Sequence, residues 1–171
     1  MLCYNKKGDT MKKGIILLSL CLLCGCTSSK NEEGVSNAQL KEYRSYVQDI
    51  KNTKSFSNYS KYFTTQLVIS DLGNYYSYDL IIKDPKVKMY KIKAVSYSPY
   101  IKDQYHPSIG IFEKASYNLV PNYVNKKKGY VKGIDLSGRI TKRSDVKVKI
   151  SYTNAQNKRK AMVIYVKNSN G

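Results

Sequence analysis

Over residues 60–168 apolar side chains recur at every second position. Tyr76, Tyr78, Leu80 and Ile82 alternate with Ser77, Asp79 and Lys83, and Val146, Val148, Ile150 and Tyr152 alternate with Lys147, Lys149 and Ser151. A period of two turns one face of an extended chain to a core and the other to water, so these segments predict half-buried antiparallel strands. Residues 63–69, 109–114, 130–136 and 159–167 predict four more, the last apolar on both faces and so expected in the middle of a sheet. Between Lys86 and Tyr97 the apolar phase slips by one residue, from Val87 and Met89 to Tyr90, Ile92 and Ala94, then to Val95 and Tyr97. Such a slip predicts a bulge or a bend. Ahead of the strands the period changes to that of a helix, with Leu40, Tyr43, Val47 and Ile50 spaced by three, four and three residues and Ser36 or Asn37 able to cap. This predicts an amphipathic helix over residues 38–54, packed on the domain; the alternative is a helix lying on a membrane surface with Lys41, Arg44 and Lys51 toward headgroups.

About seven short strands, separated by turn-rich segments at 70–74, at Ser137-Gly138 and at 154–157, predict an all-β fold. A single antiparallel β-sandwich over residues 60–168 is expected, with a small β-barrel as the rival. Residues 129–166, in which Gly133-Ile134-Asp135-Leu136 is followed by a charged loop and a strand hairpin, resemble the last three strands of immunoglobulin-like domains appended to Gram-positive lipoproteins. That resemblance covers about a quarter of the chain and implies an immunoglobulin-like sandwich.

The other end of the chain carries an address. Lys12 and Lys13 precede an apolar run from Ile15 to Leu23, too short to span a bilayer, which closes on Leu23-Cys24-Gly25-Cys26. The run resembles the lipobox of bacterial lipoproteins, with Cys24 where alanine or serine is commoner. The resemblance implies a signal peptide over residues 1–25, cleavage before Cys26 and lipid on the Cys26 thiol, hence a palmitate-type anchor on the extracytoplasmic face of the cell membrane, or on an outer membrane in a cell with two. Each buried methylene contributes about 0.8 kcal/mol, so two or more acyl chains hold a protein durably. Met1 to Thr10 is a polar decapeptide ahead of a typical Met-Lys-Lys opening, which makes Met11 the expected start. Residues 26–37 hold only Val35 as a sizeable aliphatic side chain and read as a flexible tether.

Cysteine usage agrees with this reading. Cys3, Cys21, Cys24 and Cys26 all precede residue 27, so the domain has neither a disulfide framework nor a thiolate metal site. Nor does catalytic chemistry stand out. His106 is the one histidine and sits in a predicted exposed loop, no Gly-x-Ser-x-Gly elbow is present, and Asp71, Asp79, Asp84, Asp135 and Asp145 fall mostly at predicted turns. No cofactor, metal or enzymatic activity is expected.

Charge is the positive signal. The chain has 30 Lys+Arg against 12 Asp+Glu, a formal +18, with 17 tyrosines and no tryptophan. Lysines alternate along strands at Lys86, Lys88, Lys91 and Lys93 and at Lys147 and Lys149, which fits the wet face of a sheet and discourages edge pairing. Two triplets lie in loops: Lys126-Lys127-Lys128 and Lys158-Arg159-Lys160. If the last three strands run up, down and up, these triplets meet at one pole, with Arg139, Lys142 and Arg143 at the other. Such a patch would attract anionic lipid, anionic wall polymer or an acidic protein in a salt-sensitive way, while the exported address argues against nucleic acid. The leading expectation is therefore a non-enzymatic, lipid-anchored surface lipoprotein with an anionic partner. The layout also resembles small basic immunity lipoproteins that accompany lantibiotic peptides, or exclusion lipoproteins of mobile elements; a third reading is a transporter accessory or envelope enzyme, which predicts a deep polar pocket.

Overall fold

The computed structural model describes residues 34–168. The expected signal peptide, Met11, the lipobox residues Leu23, Cys24, Gly25 and Cys26, and most of the tether lie outside the described residues. A helix, α1 (Asn37–Asn52), is followed by eight strands: β1 (Thr64–Asp71), β2 (Tyr76–Lys83), β3 (Met89–Tyr97), β4 (Ser108–Ile109), β5 (Tyr117–Leu119), β6 (Gly133–Ile140), β7 (Val146–Thr153) and β8 (Arg159–Val166). All strand pairs are antiparallel, in a three-stranded sheet ordered β1-β2-β6 and a second ordered β4-β3-β7-β8, with β5 also paired to β3. The sheets face each other without closing, so the architecture is a β-sandwich and the barrel alternative is excluded.

Alternation places the core. Leu67 and Ile69 of β1, Tyr78, Leu80 and Ile82 of β2, and Ile134, Leu136 and Ile140 of β6 meet Met89, Ile92 and Ala94 of β3, Val146, Val148, Ile150 and Tyr152 of β7, and Ile164 and Val166 of β8. The phase slip in β3 is a bulge: Tyr90 pairs with Thr153 but Lys93 with Ser151, and Lys91 takes φ 49° with its N–H donated to Asn118 Oδ1.

α1 forms a third layer on the outer face of the larger sheet. Ser36 and Gln39 make a reciprocal capping box, and the Gln39 amide reaches the carbonyls of Ile111 and Phe112, which fixes the helix start. Tyr43, Tyr46 and Ile50 pack on Val95 and Ile111. Tyr46 is absent from the expected stripe, whereas Leu40 and Val47 are only partly buried. The helix runs along β7 against its chain direction, since Glu42 lies beside Lys93 and Arg159, Tyr46 beside Ser151, Asp49 beside Lys149, and Lys51 over the Tyr97 ring. Its apolar stripe is therefore occupied by the sheet rather than by a membrane.

Several expectations are corrected. β8 is an edge strand, not a central one; its free edge is partly covered by Ser57, which bridges Ile164 and bonds Val163 O and Tyr165 N–H, while Phe56 packs on Tyr165. Ser137-Gly138 is not a turn but part of β6, paired with Asp79 and Tyr78 of β2; glycine stands there because a Cβ would sit 2.8–3.0 Å from Pro107 and the ring of Tyr78. The segment expected at 109–114 pairs only at Ser108–Ile109, and β5 was not expected at all.

Candidate functional site

The two predicted lysine triplets lie toward the same end of the sandwich, where β6 and β8 begin and β7 ends. Lys126–Lys128 form a single 3-10 turn, which the Asn125 side chain caps by accepting from Lys128 N–H, and which Gly129 closes in the left-handed region at φ 75°. Glycine is needed there, because a Cβ would meet Ser116 O at 2.1 Å. The second triplet leaves the β7–β8 turn, where Asn154 Oδ1 accepts the N–H groups of Gln156 and Lys158.

Strand alternation then splits that triplet. Arg159 turns to the helix side, donating to Tyr46 Oη and Ser151 Oγ and lying 3.7 Å from Glu42. Lys160 turns the other way and lines a cleft of about 550 Å³ with Lys86, Lys88, Tyr62, Val87 and Tyr152. The expected six-residue patch is thus not one surface: Arg159 turns to the helix, and Lys160 joins Lys86 and Lys88 on the approach to β3, expected from their alternation on the wet face of a sheet.

A second concavity of about 400 Å³ shares Lys86, Val120 and Pro121 with the first and adds Lys132, Tyr123, Val124 and Asp84. Together they make a groove with an apolar and tyrosine floor and a rim of Lys86, Lys88, Lys132 and Lys160, against the single carboxylate of Asp84. None of these four lysines pairs with a described carboxylate. The four ion pairs among the described residues are Lys93–Glu42, Arg159–Glu42, Lys149–Asp49 and Arg139–Asp103. Lys132 went unnoticed in the sequence because it stands alone; Lys86 and Lys88 carried a usable signal, flanking Val87 just after the Asp84-Pro85 turn.

Arg139, Lys142 and Arg143 fall at the opposite end, among Tyr75, Tyr76 and Tyr100. His106 is not the exposed loop residue expected. Its ring lies 4.7 Å from that of Tyr97, its backbone N–H donates to Tyr43 Oη, and its Nδ1 is buried without a partner. Burial, and next the neighbouring Lys51 charge, hold its pKa below the usual histidine value. No hydroxyl nucleophile bonds its ring among the described residues, and no three His, Cys, Asp or Glu side chains there converge as metal ligands. No described helix is long and apolar enough to cross a membrane. No protein-family model, curated protein or solved structure matches this chain, so its reading rests on the residues themselves.

Proposed function

We propose that this chain is a lipid-anchored, non-enzymatic surface lipoprotein of the cell envelope, whose basic β-sandwich binds an anionic envelope component through the lysine groove. The observation that carries the reading is placement. The groove rim of Lys86, Lys88, Lys132 and Lys160 lies at the end of the domain where α1 begins, because Glu42 in the first turns of α1 reaches Arg159 at the start of β8. A chain held at Cys26 has about ten residues before Ser36, which span at most roughly 35 Å when extended and about 17 Å as a flexible coil. On this reading, a tether that enters the domain at the start of α1 favours an approach of the lysine end to the anchoring surface. Each lysine close to an anionic leaflet contributes about 1 kcal/mol, attenuated over a Debye length of about 8 Å at physiological salt. Anionic headgroups are thus the partner favoured at this end, and the tyrosine floor suits the boundary between headgroup and acyl chain.

A Cys26→Ala variant is expected to lose acyl labelling and to leave the membrane fraction for the medium; continued labelling would defeat the anchor. The released Cys26→Ala protein should sediment with phosphatidylglycerol vesicles at low salt and not with phosphatidylcholine vesicles. Changing Lys86, Lys88, Lys132 and Lys160 together to Glu should abolish that sedimentation. Equal sedimentation of the charge-reversed protein would remove the groove from the proposal.

A further inference from the structure

The end of the sandwich opposite the lysine groove holds a second, differently built cationic cleft. The β1–β2 turn, the loop after β3 and the β6–β7 loop converge there. Ile101 bridges Ile140, Lys102 N–H donates to Arg139 O, and Thr141 N–H donates to Tyr100 O, so the loop after β3 is laid along the end of β6. Ser98 and Ser144 share a hydrogen bond of 3.0 Å that ties the β3 exit to the β6–β7 loop. Between them opens a cleft of about 500 Å³, with Tyr97, Pro99 and Tyr100 among its lining residues along with Lys142, Arg143 and Lys147.

Its cations outnumber its carboxylates, with Lys142, Arg143 and Lys147 against Asp145 in the lining. Asp103, nearby, is spent on Arg139, while Asp145 keeps its charge and is oriented by neutral donors. Asp103 takes the Arg139 guanidinium at 2.6 Å and its backbone N–H at 2.7 Å. Asp145 accepts from the Tyr165 hydroxyl at 2.6 Å and from Asn168 N–H at 2.7 Å. Lys142, Arg143 and Lys147 face the cleft with no described carboxylate as partner.

These cations are nevertheless held in place, by rings instead of anions. The Arg143 guanidinium carbon lies 4.9 Å from the centroid of Tyr76, Lys142 Nζ 5.5 Å from that of Tyr100, and Lys147 Nζ 5.2 Å from that of Phe56. A ring face fixes a cation while leaving its N–H donors outward, so the ordering cost of binding an anion is already met in part. The cleft is also larger than a lone inorganic anion requires, and the Tyr100 and Ser144 hydroxyls add neutral hydrogen-bonding capacity beside the charge.

We infer that this cleft is a binding site for the phosphodiester group of a polyol phosphate, with Arg143 and Lys142 taking the phosphate oxygens and the tyrosine and serine hydroxyls the polyol. The same chemistry exists in a soluble polyol-phosphate chain and in the headgroup of phosphatidylglycerol. The site does not depend on the groove at the other end or on the anchor.

The test uses the full chain, in a neutral detergent for soluble ligands and reconstituted for the vesicle arm, and follows tyrosine emission, which no tryptophan masks. Glycerophosphoglycerol should bind saturably, and a glycerol-phosphate oligomer at least tenfold more tightly per chain because neighbouring phosphates rebind. The Lys142→Gln/Arg143→Gln double variant should weaken both by tenfold or more. Arg143→Lys should weaken both by a smaller factor, since it keeps the charge and loses the planar fork. Lys41→Gln/Lys114→Gln, exposed lysines outside both this cleft and the groove, should leave both unchanged. Equal weakening by the two double variants would show diffuse attraction and overturn the site, as would binding to phosphatidylglycerol vesicles with no response to soluble phosphodiester. If vesicles and oligomer both respond and both lose the response in Lys142→Gln/Arg143→Gln, the site stands, and the tighter of the two identifies its source.

Discussion

The hydrogen bond between Tyr78 and Ser96 allows a sharp test of how the two sheets are joined. Tyr78 on β2 and Ser96 on β3 are both fully buried, and their hydroxyls meet at 2.8 Å across the core. Glycine at residue 138 makes room for the Tyr78 ring, so the phenol has little freedom to find another partner. Tyr78→Phe leaves the Ser96 hydroxyl buried and unpaired, and Ser96→Ala does the same to the Tyr78 hydroxyl. An orphaned buried group of this kind costs about 1–3 kcal/mol, whereas removing both partners approaches neutrality. Each single variant should therefore lose about 1–3 kcal/mol in urea unfolding followed by far-ultraviolet circular dichroism, and the double variant should lose much less than the sum. A coupling energy of at least about 1 kcal/mol is expected; singles that add to within about 0.5 kcal/mol would refute the idea that the bond, rather than the ring, joins the sheets. Alkaline titration gives a second readout. Burial pushes the Tyr78 phenol from 10.0 up to about 12, so the unfolded chain loses this proton first. The stability this group contributes is complete below pH 10 and is lost as pH rises from 10 toward 12, and Tyr78→Phe should remove that part of the alkaline loss.

Two further outcomes follow from local geometry. Above the ordinary histidine value of about 6.5, His106 is neutral folded and unfolded; as pH falls below it the unfolded chain takes the proton first, because burial and Lys51 oppose protonation in the fold. Stability should therefore decline on acidification below about pH 6.5, and His106→Gln should flatten that decline in urea midpoints at pH 7.5 and 5.5; an identical decline would exclude His106 as its source. Gly110 takes φ 74° and a Cβ there would lie 2.1 Å from Ile92 O, while Gly73 takes φ 82° with nothing within 4 Å. Gly73→Ala should cost about 1 kcal/mol of backbone strain, and Gly110→Ala clearly more in the same assay, since β3 must also move; equal losses would mean the close approach relaxes freely.

The strands of the two sheets were largely legible because period-two alternation reports which face is buried, and even the slip before Tyr97 matched a real bulge at Lys91. What alternation does not report is a layer outside the sheet. Lys149 alternates like a solvent-facing residue, yet its side chain is only 15 % exposed because Asp49 and the Tyr46 ring of α1 cover it. Tyr46 was missed for the complementary reason. A tyrosine off the apolar stripe reads as surface until its hydroxyl is seen bonded to Ser151 and Arg159. β8 misled in the opposite direction: its two-sided apolarity reflects cover by Phe56 and Ser57, not a neighbouring strand. The lysine triplets were legible as charge but not as a site, since the contacts of Arg159 with Glu42, Tyr46 and Ser151 are long-range or cross-strand pairings that no local pattern carries.

The pairing of Arg159 with Glu42 is one of the few by which the fold uses its scarce carboxylates. The acidic residues of α1 and of the loops are few, and the fold uses them internally. Glu42 and Asp49 fasten the helix to Lys93, Arg159 and Lys149, Asp103 holds Arg139, and Asp145 holds Tyr165 and Asn168. The contacts to Lys93, Arg159, Lys149 and Arg139 offset positive charge on the flank of the sandwich and in its loops, whereas Asp145 binds neutral donors. Among the described cations without a carboxylate partner, four ring a tyrosine-floored groove and three line the cleft beyond β3. Tyrosine has a part at both ends and at the seams between layers because it alone among the common large side chains here offers a ring to pack or to seat a cation and a hydroxyl to bond. A chain with 17 tyrosines, three phenylalanines and no tryptophan therefore uses one side chain at its layer seams and its cationic surfaces, around a core made mainly of Ile, Leu and Val. At the groove and the cleft a polyanion can offset part of the self-repulsion that an excess of positive charge imposes on the domain.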